Sequence, residues 1–476
     1  MTEIGQPLSQ SDGSYDATIA DEHGTAAKPL ARNLSAWAVL FLTLSVTTPA
    51  SSVFVIVPGM FQVAGTGALA AMLIAGAVGV ATAFIYAELS SAWPSAGGEY
   101  VAVANTLGPG AGFVMLGVNV FNNLLYLPVM ALGVTGVLGL VLPGLPQVPV
   151  AVAVVAGSAL IAVLDIRVNA WLTGFFLLLE VLAIVAVAAL GFAEPMRALG
   201  PLLFEPVAPG PAGLAPAGAA GIGLATSIAV FALNGYGSAV YFAEDVVDAP
   251  RRIAGAVLAV LALTLLLEGL PIVAVLVGAP DLPTSLASED PFGLFVAARG
   301  GTVSADLVAV GVVVAIVNAV IAWTLACARF FYASGRDGSW GRPLDGWLAA
   351  VHPRFGSPWI ATLLIGAVGV ACCFAPLRFL LLLSGTGLLT IYAGAAVAAL
   401  AGRRSGASAR AVYRAPLHPL APVVTLVAIG YVAWISWFDP EEGRPALIAT
   451  GLQILVSAVY YRLALKRRGW EARTPS

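Results

Sequence analysis

Histidine, cysteine, lysine and charge of either sign are all scarce in this 476-residue chain. Of its three histidines, His23 and His352 lie outside the apolar runs and His418 stands at the very start of one. Its three cysteines, Cys327, Cys372 and Cys373, fall inside them without a metal-ligand spacing. Neither a disulfide framework nor a zinc centre follows, and no cofactor is expected. Charged residues are only 10% of the chain, and Lys28 and Lys466 are the only lysines among 22 basic residues. No basic stripe offers itself to nucleic acid.

Apolar sequence fills the space that charge leaves. The chain is 59% hydrophobic, beyond the range of soluble domains. A membrane-crossing helix needs about 20 mostly apolar residues. Twelve segments meet that need, at about 35–61, 68–92, 109–142, 148–164, 170–193, 219–247, 253–278, 304–334, 358–375, 378–401, 416–437 and 445–465. They are numbered spans 1 to 12. The expected fold is therefore all-α and integral to a membrane. Residues 1–34 are polar and read as a disordered tail, and 466–476 as a second tail. The first apolar run starts too late for a cleaved signal peptide.

The basic residues set an orientation. With the N-terminus in the cytoplasm, 18 of the 22 fall on the cytoplasmic side and 4 outside. Both termini are then cytoplasmic, as expected of a multi-pass protein of the cell membrane. The longest outer connection, 194–218, is rich in Pro, Gly and Ala and is expected to wrap over the outer face. The polar loop 335–357 is expected to carry a short surface helix.

Two spans are interrupted in the middle. Span 1 reads Leu44-Ser45-Val46-Thr47-Thr48-Pro49-Ala50-Ser51-Ser52-Val53-Phe54. Pro49 lacks a donor and clashes with the preceding turn. Span 6 reads Phe231-Ala232-Leu233-Asn234-Gly235-Tyr236-Gly237-Ser238. Freed backbone groups inside a bilayer are tolerated where they line a cavity or bind something. Two breaks five spans apart point to a binding site between inverted repeats, spans 1–5 and 6–10.

The chemistry follows from helix ends. The N–H groups of Ser51, Ser52 and Val53, with Ala50 ahead of them, face an anion such as a carboxylate. The carbonyls near Thr47 and Thr48, and near Phe231 to Leu233, suit an ammonium. Together they suit an α-amino acid zwitterion, with Asn234, Gly235, Tyr236 and Gly237 completing the site. Phe231 and Tyr236 are candidate gates. Neither break holds an acid or base, so no charged partner for a substrate side chain is expected there.

Glu180 in span 5 and Glu268 in span 7 are ionisable groups inside apolar spans, and such groups are functional candidates by default. Both are read as proton-coupling candidates. Span 8 offers Ala326 and Cys327 where sodium would want hydroxyls, which favours protons. Asn119, Asn122, Asn123 and Tyr126 share one face of span 3. That face is either glue between helices or, with Asn318 of span 8, part of the cavity wall.

Three motifs carry a resemblance. Span 2 runs into Tyr86-Ala87-Glu88-Leu89-Ser90-Ser91-Ala92-Trp93-Pro94-Ser95-Ala96-Gly97-Gly98-Glu99-Tyr100. Span 6 ends in Phe242-Ala243-Glu244-Asp245-Val246-Val247-Asp248-Ala249-Pro250-Arg251-Arg252. Span 8 ends in Ala328-Arg329-Phe330-Phe331-Tyr332-Ala333-Ser334-Gly335-Arg336-Asp337-Gly338. In these motifs spans 1–10 resemble the amino acid–polyamine–organocation (APC) superfamily, the amino acid permeases. The resemblance implies a 5+5 inverted-repeat transport core over 35–401, with two further spans in 402–465, substrate at the two breaks, and alternating access. Some relatives place a lysine in span 5 at what looks like the position of Glu180. The family's usual Gly-Ser-Gly of span 1 is replaced here by Ala50-Ser51-Ser52, which brings side chains where backbone usually meets the ligand.

The leading expectation is a secondary active transporter of neutral amino acids or related small amine-bearing solutes, coupled to protons. Obligate exchange is the alternative, and a non-transporting nutrient sensor on the same fold a weaker one. An intramembrane enzyme lacks a converging nucleophile, base or metal set.

Overall fold

The computed structural model describes residues 29–474, apart from 31, 143, 211, 212, 385 and 417. The expected N-terminal tail therefore lies almost wholly outside the described residues. Where the chain enters the bundle, the Leu34 N–H donates to the Asp245 carbonyl at 2.9 Å, which ties the start of span 1 to the end of span 6.

All twelve apolar segments fall on helix. Nine stretches among the described residues are long and apolar enough to cross a membrane. The first, Ala36–Ala92, takes in spans 1 and 2, while spans 4 and 9 are the shorter apolar helices Gln147–Ala162 and Trp359–Cys372. The connection 194–218 folds into a helix, Leu199–Phe204, and a small antiparallel hairpin, Val207–Gly210 with Gly213–Pro216. The loop 335–357 carries the expected short helix, Leu344–Leu348.

Span 5 shows how sequence orients a helix between protein and lipid. Thr173, Leu177, Glu180, Ile184 and Val187 are buried, at alternating spacings of four and three. Phe175, Leu178, Leu182 and Val185 are exposed. Both faces are apolar, as a bilayer requires, and the inward one is marked by its polar members. Spans 5 and 7 pack closely through small residues: a Cβ on Gly191 would stand 2.3 Å from the Ala274 carbonyl oxygen.

Spans 7 and 8 each pack against both span 1 and span 5, spans 1 and 5 pack on each other, and the end of span 6 joins spans 1, 7 and 8. The apolar windows of spans 7 and 8 are 61% buried, those of spans 11 and 12 only 22%. The last two spans therefore sit at the periphery and leave most of their surface to lipid.

Candidate functional site

Span 1 is broken at Thr48, whose φ of 43° is left-handed, a strained conformation for a β-branched residue. Helix resumes at Pro49 and loosens into a π turn over Ser52–Ile56. Proline at the first helical position has no N–H to satisfy, so Ala50 carries the first free donor. That N–H is taken at 2.9 Å by Glu180 Oε1, reaching across from span 5. The protein's own acid thus occupies the helix end where a substrate carboxylate was expected. Of the N–H groups assigned to such an anion, that of Ser52 bonds instead to the Thr48 carbonyl at 3.1 Å.

Span 6 breaks after Ala219–Ala232 and continues as a ten-residue 3₁₀ helix, Tyr236–Asp245. Gly235 sits at φ 121°, and a Cβ there would stand 2.9 Å from Thr47 Cα. A Cβ on Gly237 would stand 2.7 Å from the Tyr86 ring. These two positions need glycine for close approach. The two breaks therefore touch: Thr47 lies on Gly235, and the Ser52 hydroxyl donates to the Ala232 carbonyl at 3.1 Å.

Glu268 joins them from span 7. Its carboxyl is fully buried beside Ser52 and within electrostatic reach of Glu180. Neither of its oxygens has a hydrogen-bond partner among the described residues, nor do Glu180 Oε2 and Thr48 Oγ1. The two proton-coupling candidates, separated by one span in sequence, converge on one break.

Behind the span 6 break lies a polar cavity. Asn119 and Asn122 of span 3, Asn234, Gly235, Gly237 and Ser238 of span 6, Trp323 of span 8 and Tyr392 of span 10 line it, together with Tyr86, Tyr241 and Glu99. The space is tight, on the order of one or two water molecules, so an amino acid enters only if the spans separate. Tyr392 donates its hydroxyl proton to Asn234 Oδ1 at 2.8 Å. Tyr86 and Tyr241 donate to the two oxygens of Glu99, each at 3.0 Å. Asn119 Nδ2 approaches Glu99 Oε2 at 3.4 Å. Glu99 begins the helix Glu99–Leu107 that links spans 2 and 3. Burial pushes its carboxyl up, and hydrogen bonds from its own backbone, Tyr86, Tyr241 and Asn119 pull it back.

The expected site residues divide into groups. Thr47, Thr48, Ala50, Ser51, Ser52 and Val53 are all buried at the contact between the breaks. Asn119, Asn122, Asn234, Gly235 and Gly237 line the cavity, and Tyr236 is buried against Tyr86 and Tyr392. Phe231 stands apart from these buried residues: it is half exposed. Asn123 and Asn318 act as glue. Asn123 Nδ2 donates to the Asn119 carbonyl at 2.8 Å, and Asn318 Nδ2 to Ser45 Oγ at 3.0 Å. The carbonyls offered to an ammonium are partly used, since Val46 accepts from Tyr126 at 3.1 Å. Glu99, Tyr241 and Tyr392 were missed as site residues. Glu99 stands in a loop motif rather than an apolar run, so no intramembrane-charge argument reached it.

The Arg-rich end of the bundle is closed by ion pairs. Arg329 holds Asp245 through two bonds, 2.5 and 3.1 Å, with both side chains almost fully buried. Arg336 binds Glu244 at 2.6 Å, and Arg403 binds Glu88 at 2.5 Å. Asp337 accepts from the Tyr100 hydroxyl at 2.9 Å and from the Arg473 N–H at 3.2 Å. Burial pushes its carboxyl up to about 6 against the pull of Arg336. Trp470 is buried on Tyr100, Phe113 and Tyr461, which fastens the C-terminal residues to this end.

Comparison with known proteins agrees with this architecture. The family profile described as amino acid permease matches residues 34–459. An uncharacterised transporter of Mycobacterium tuberculosis (strain ATCC 25618 / H37Rv) is 32% identical over 345 residues, 71% of this chain and 73% of that protein. The methylthioribose transporter of Bacillus subtilis (strain 168) is 26% identical over 416 residues, 82% of this chain and 85% of that protein. The chloroplastic cationic amino acid transporter 7 of Arabidopsis thaliana is 25% identical over 351 residues, 69% and 58% of the two chains. These relatives are transporters rather than enzymes, and the chain is a multi-pass membrane protein that belongs to the amino acid permease family.

Proposed function

We propose that this protein is a secondary active transporter that carries amino acids or related small amine-bearing solutes across the cell membrane by alternating access, driven by proton symport. Twelve spans cross the bilayer in this reading, both termini face the cytoplasm, and spans 1–5 and 6–10 form the two inverted repeats. The observation that carries it is the contact of the two broken spans at Thr47, Gly235, Ser52 and Ala232. Helix ends of opposite polarity then meet at one place, as a zwitterion requires.

Glu180 gives the coupling a physical form. As a carboxylate it caps the second half of span 1 at Ala50 and competes with a substrate carboxylate for that end. Protonation weakens its hold on the helix end, so proton and substrate binding favour each other. Glu268, buried beside it, supplies a second acceptor for the same proton. No acid or base stands in the breaks themselves, which suits a neutral amino acid. Glu99 in the cavity wall argues the other way.

Purified protein is screened by thermal shift against amino acids, amines and methylthioribose, and hits are tested for uptake into liposomes with and without a pH gradient. Uptake driven by an inward proton gradient supports symport, and Glu180→Gln abolishes that dependence. Uptake that ignores the gradient and needs substrate inside the liposomes replaces symport with exchange. If no amine-bearing solute binds, the reading fails.

A further inference from the structure

The buried acids at the Arg-rich end come with their cations: Glu88 with Arg403, Glu244 with Arg336, Asp245 with Arg329. Glu99 is buried to a comparable degree, 8% exposed, and makes no ion pair among the described residues. Three neutral donors, Tyr86, Tyr241 and Asn119, hold its two oxygens. A buried carboxylate is ordinarily matched by a positive charge. Here the matching charge is missing at the wall of the cavity that reaches the span 6 break.

The atoms around Glu99 point the same way. Asn119 Oδ1 and Ser238 Oγ are buried, belong to residues lining the cavity, and have no hydrogen-bond partner among the described residues. With the Glu99 carboxylate they make a set dominated by acceptors. A ligand that satisfies such a set brings several donors and no acceptor, as an ammonium or guanidinium does. The rest of the lining joins four aromatic residues, Tyr86, Tyr241, Trp323 and Tyr392, to Asn122, Asn234, Leu388 and Ile391, and aromatic rings attract a cation through their quadrupole. Tyr86 and Glu99 also border a second small cavity with Leu89, Ser90, Trp93 and Gly98. A chain extending from the break past Glu99 therefore meets further space.

We propose that Glu99, with Asn119 and Ser238, is the specificity-determining anchor for a second cationic group of the transported solute, so that the preferred substrate is a dibasic amino acid or a diamine. This inference rests on the permease reading above. The α-amino group lies at the span 6 break and the side-chain cation at Glu99, within one cavity. Burial alone disfavours the Glu99 carboxylate; a cation beside it restores the charged form. Glu99 takes no part in coupling, which belongs to Glu180 and Glu268.

The test compares ligands that differ only in the second charge. Binding of lysine against norleucine, and of arginine against citrulline, is measured on the purified full-length protein by calorimetry or thermal shift. The expected result is at least about tenfold tighter binding of the charged member of each pair. Glu99→Gln removes that preference, so that lysine binds no more tightly than norleucine and arginine no more tightly than citrulline. Ser238→Ala, which leaves Glu99 and its tyrosines in place, reduces the preference severalfold and keeps the inference testable if Glu99→Gln fails to fold. Wild type that binds norleucine as well as lysine overturns the inference and leaves the permease site standing. So does a preference for lysine that survives either substitution unchanged. Binding of no amino acid or amine at all overturns both readings together.

Discussion

A single carboxyl oxygen decides how span 1 continues after its break. Glu180 Oε1 holds the Ala50 N–H in a place where water does not reach. Glu180→Gln keeps an acceptor at that position, whereas Glu180→Ala leaves a buried donor without a partner. The alanine variant is therefore expected to lose about 1–3 kcal/mol of stability and the glutamine variant clearly less, as read from thermal unfolding in detergent. Equal losses would mean that the Glu180 charge, not its hydrogen bond, supports the break. Asp337 gives a pH-dependent counterpart at the Arg-rich end. Its carboxyl is pushed up to about 6 by burial, above the ordinary value near 4. The native state thus binds this proton more tightly than the unfolded chain, and the Asp337 contribution falls as pH rises from about 4 to 6, then levels off. The melting temperature of wild type minus that of Asp337→Asn should decrease across that window and stay flat from about pH 7 to 8.

At the scale of the element, the breaks work because backbone meets backbone. Gly235 has both a left-handed φ and Thr47 directly against it, so Gly235→Ala is penalised by strain and by collision together. It is expected to destabilise the protein by about 1–3 kcal/mol and to reduce uptake much more than Gly255→Ala. Gly255 sits in span 7 with open space beyond it. Comparable uptake by the two variants would show that the close contact of the breaks is dispensable. Both interruptions were legible in the sequence, because proline and paired glycines break helices wherever they fall. Their partners were not. That span 1 resumes under Glu180, and that span 6 resumes as a 3₁₀ helix over Tyr86, depends on which helices stand beside them.

For the whole molecule, the ion pairs at the Arg-rich end join spans 2, 6, 8 and 10 across one face. Removing one member of the buried Arg329–Asp245 pair strands the other, and Arg329→Met is expected to cost about 3–5 kcal/mol. The double variant Arg329→Met, Asp245→Leu should recover much of that loss, and a double-mutant cycle in thermal unfolding measures the difference. Equal losses for single and double variants would place the stabilisation in packing against Phe242 rather than in charge. Opening toward this face requires the same pairs to separate or to move as one body with the end of span 6. Substitutions that weaken them should therefore also raise the rate of substrate-independent opening, read as labelling of Cys327, which is buried in this structure.

By itself the sequence determined the class of solvent, the number and length of the apolar segments, the bias of arginine to one side and the place of both breaks. Each of these is a local property: a run of side chains long enough for a bilayer, a charge near its end, a residue that cannot continue a helix. Tertiary structure alone decided which side chains meet. Ala50 and Glu180 lie 130 residues apart, and Glu99 and Tyr241 lie 142 apart. Their contact depends on the rotation of each helix about its own axis, which is set by packing against its neighbours. A loop-motif acid became a cavity wall, and a gate candidate, Phe231, came to stand half exposed, for that reason.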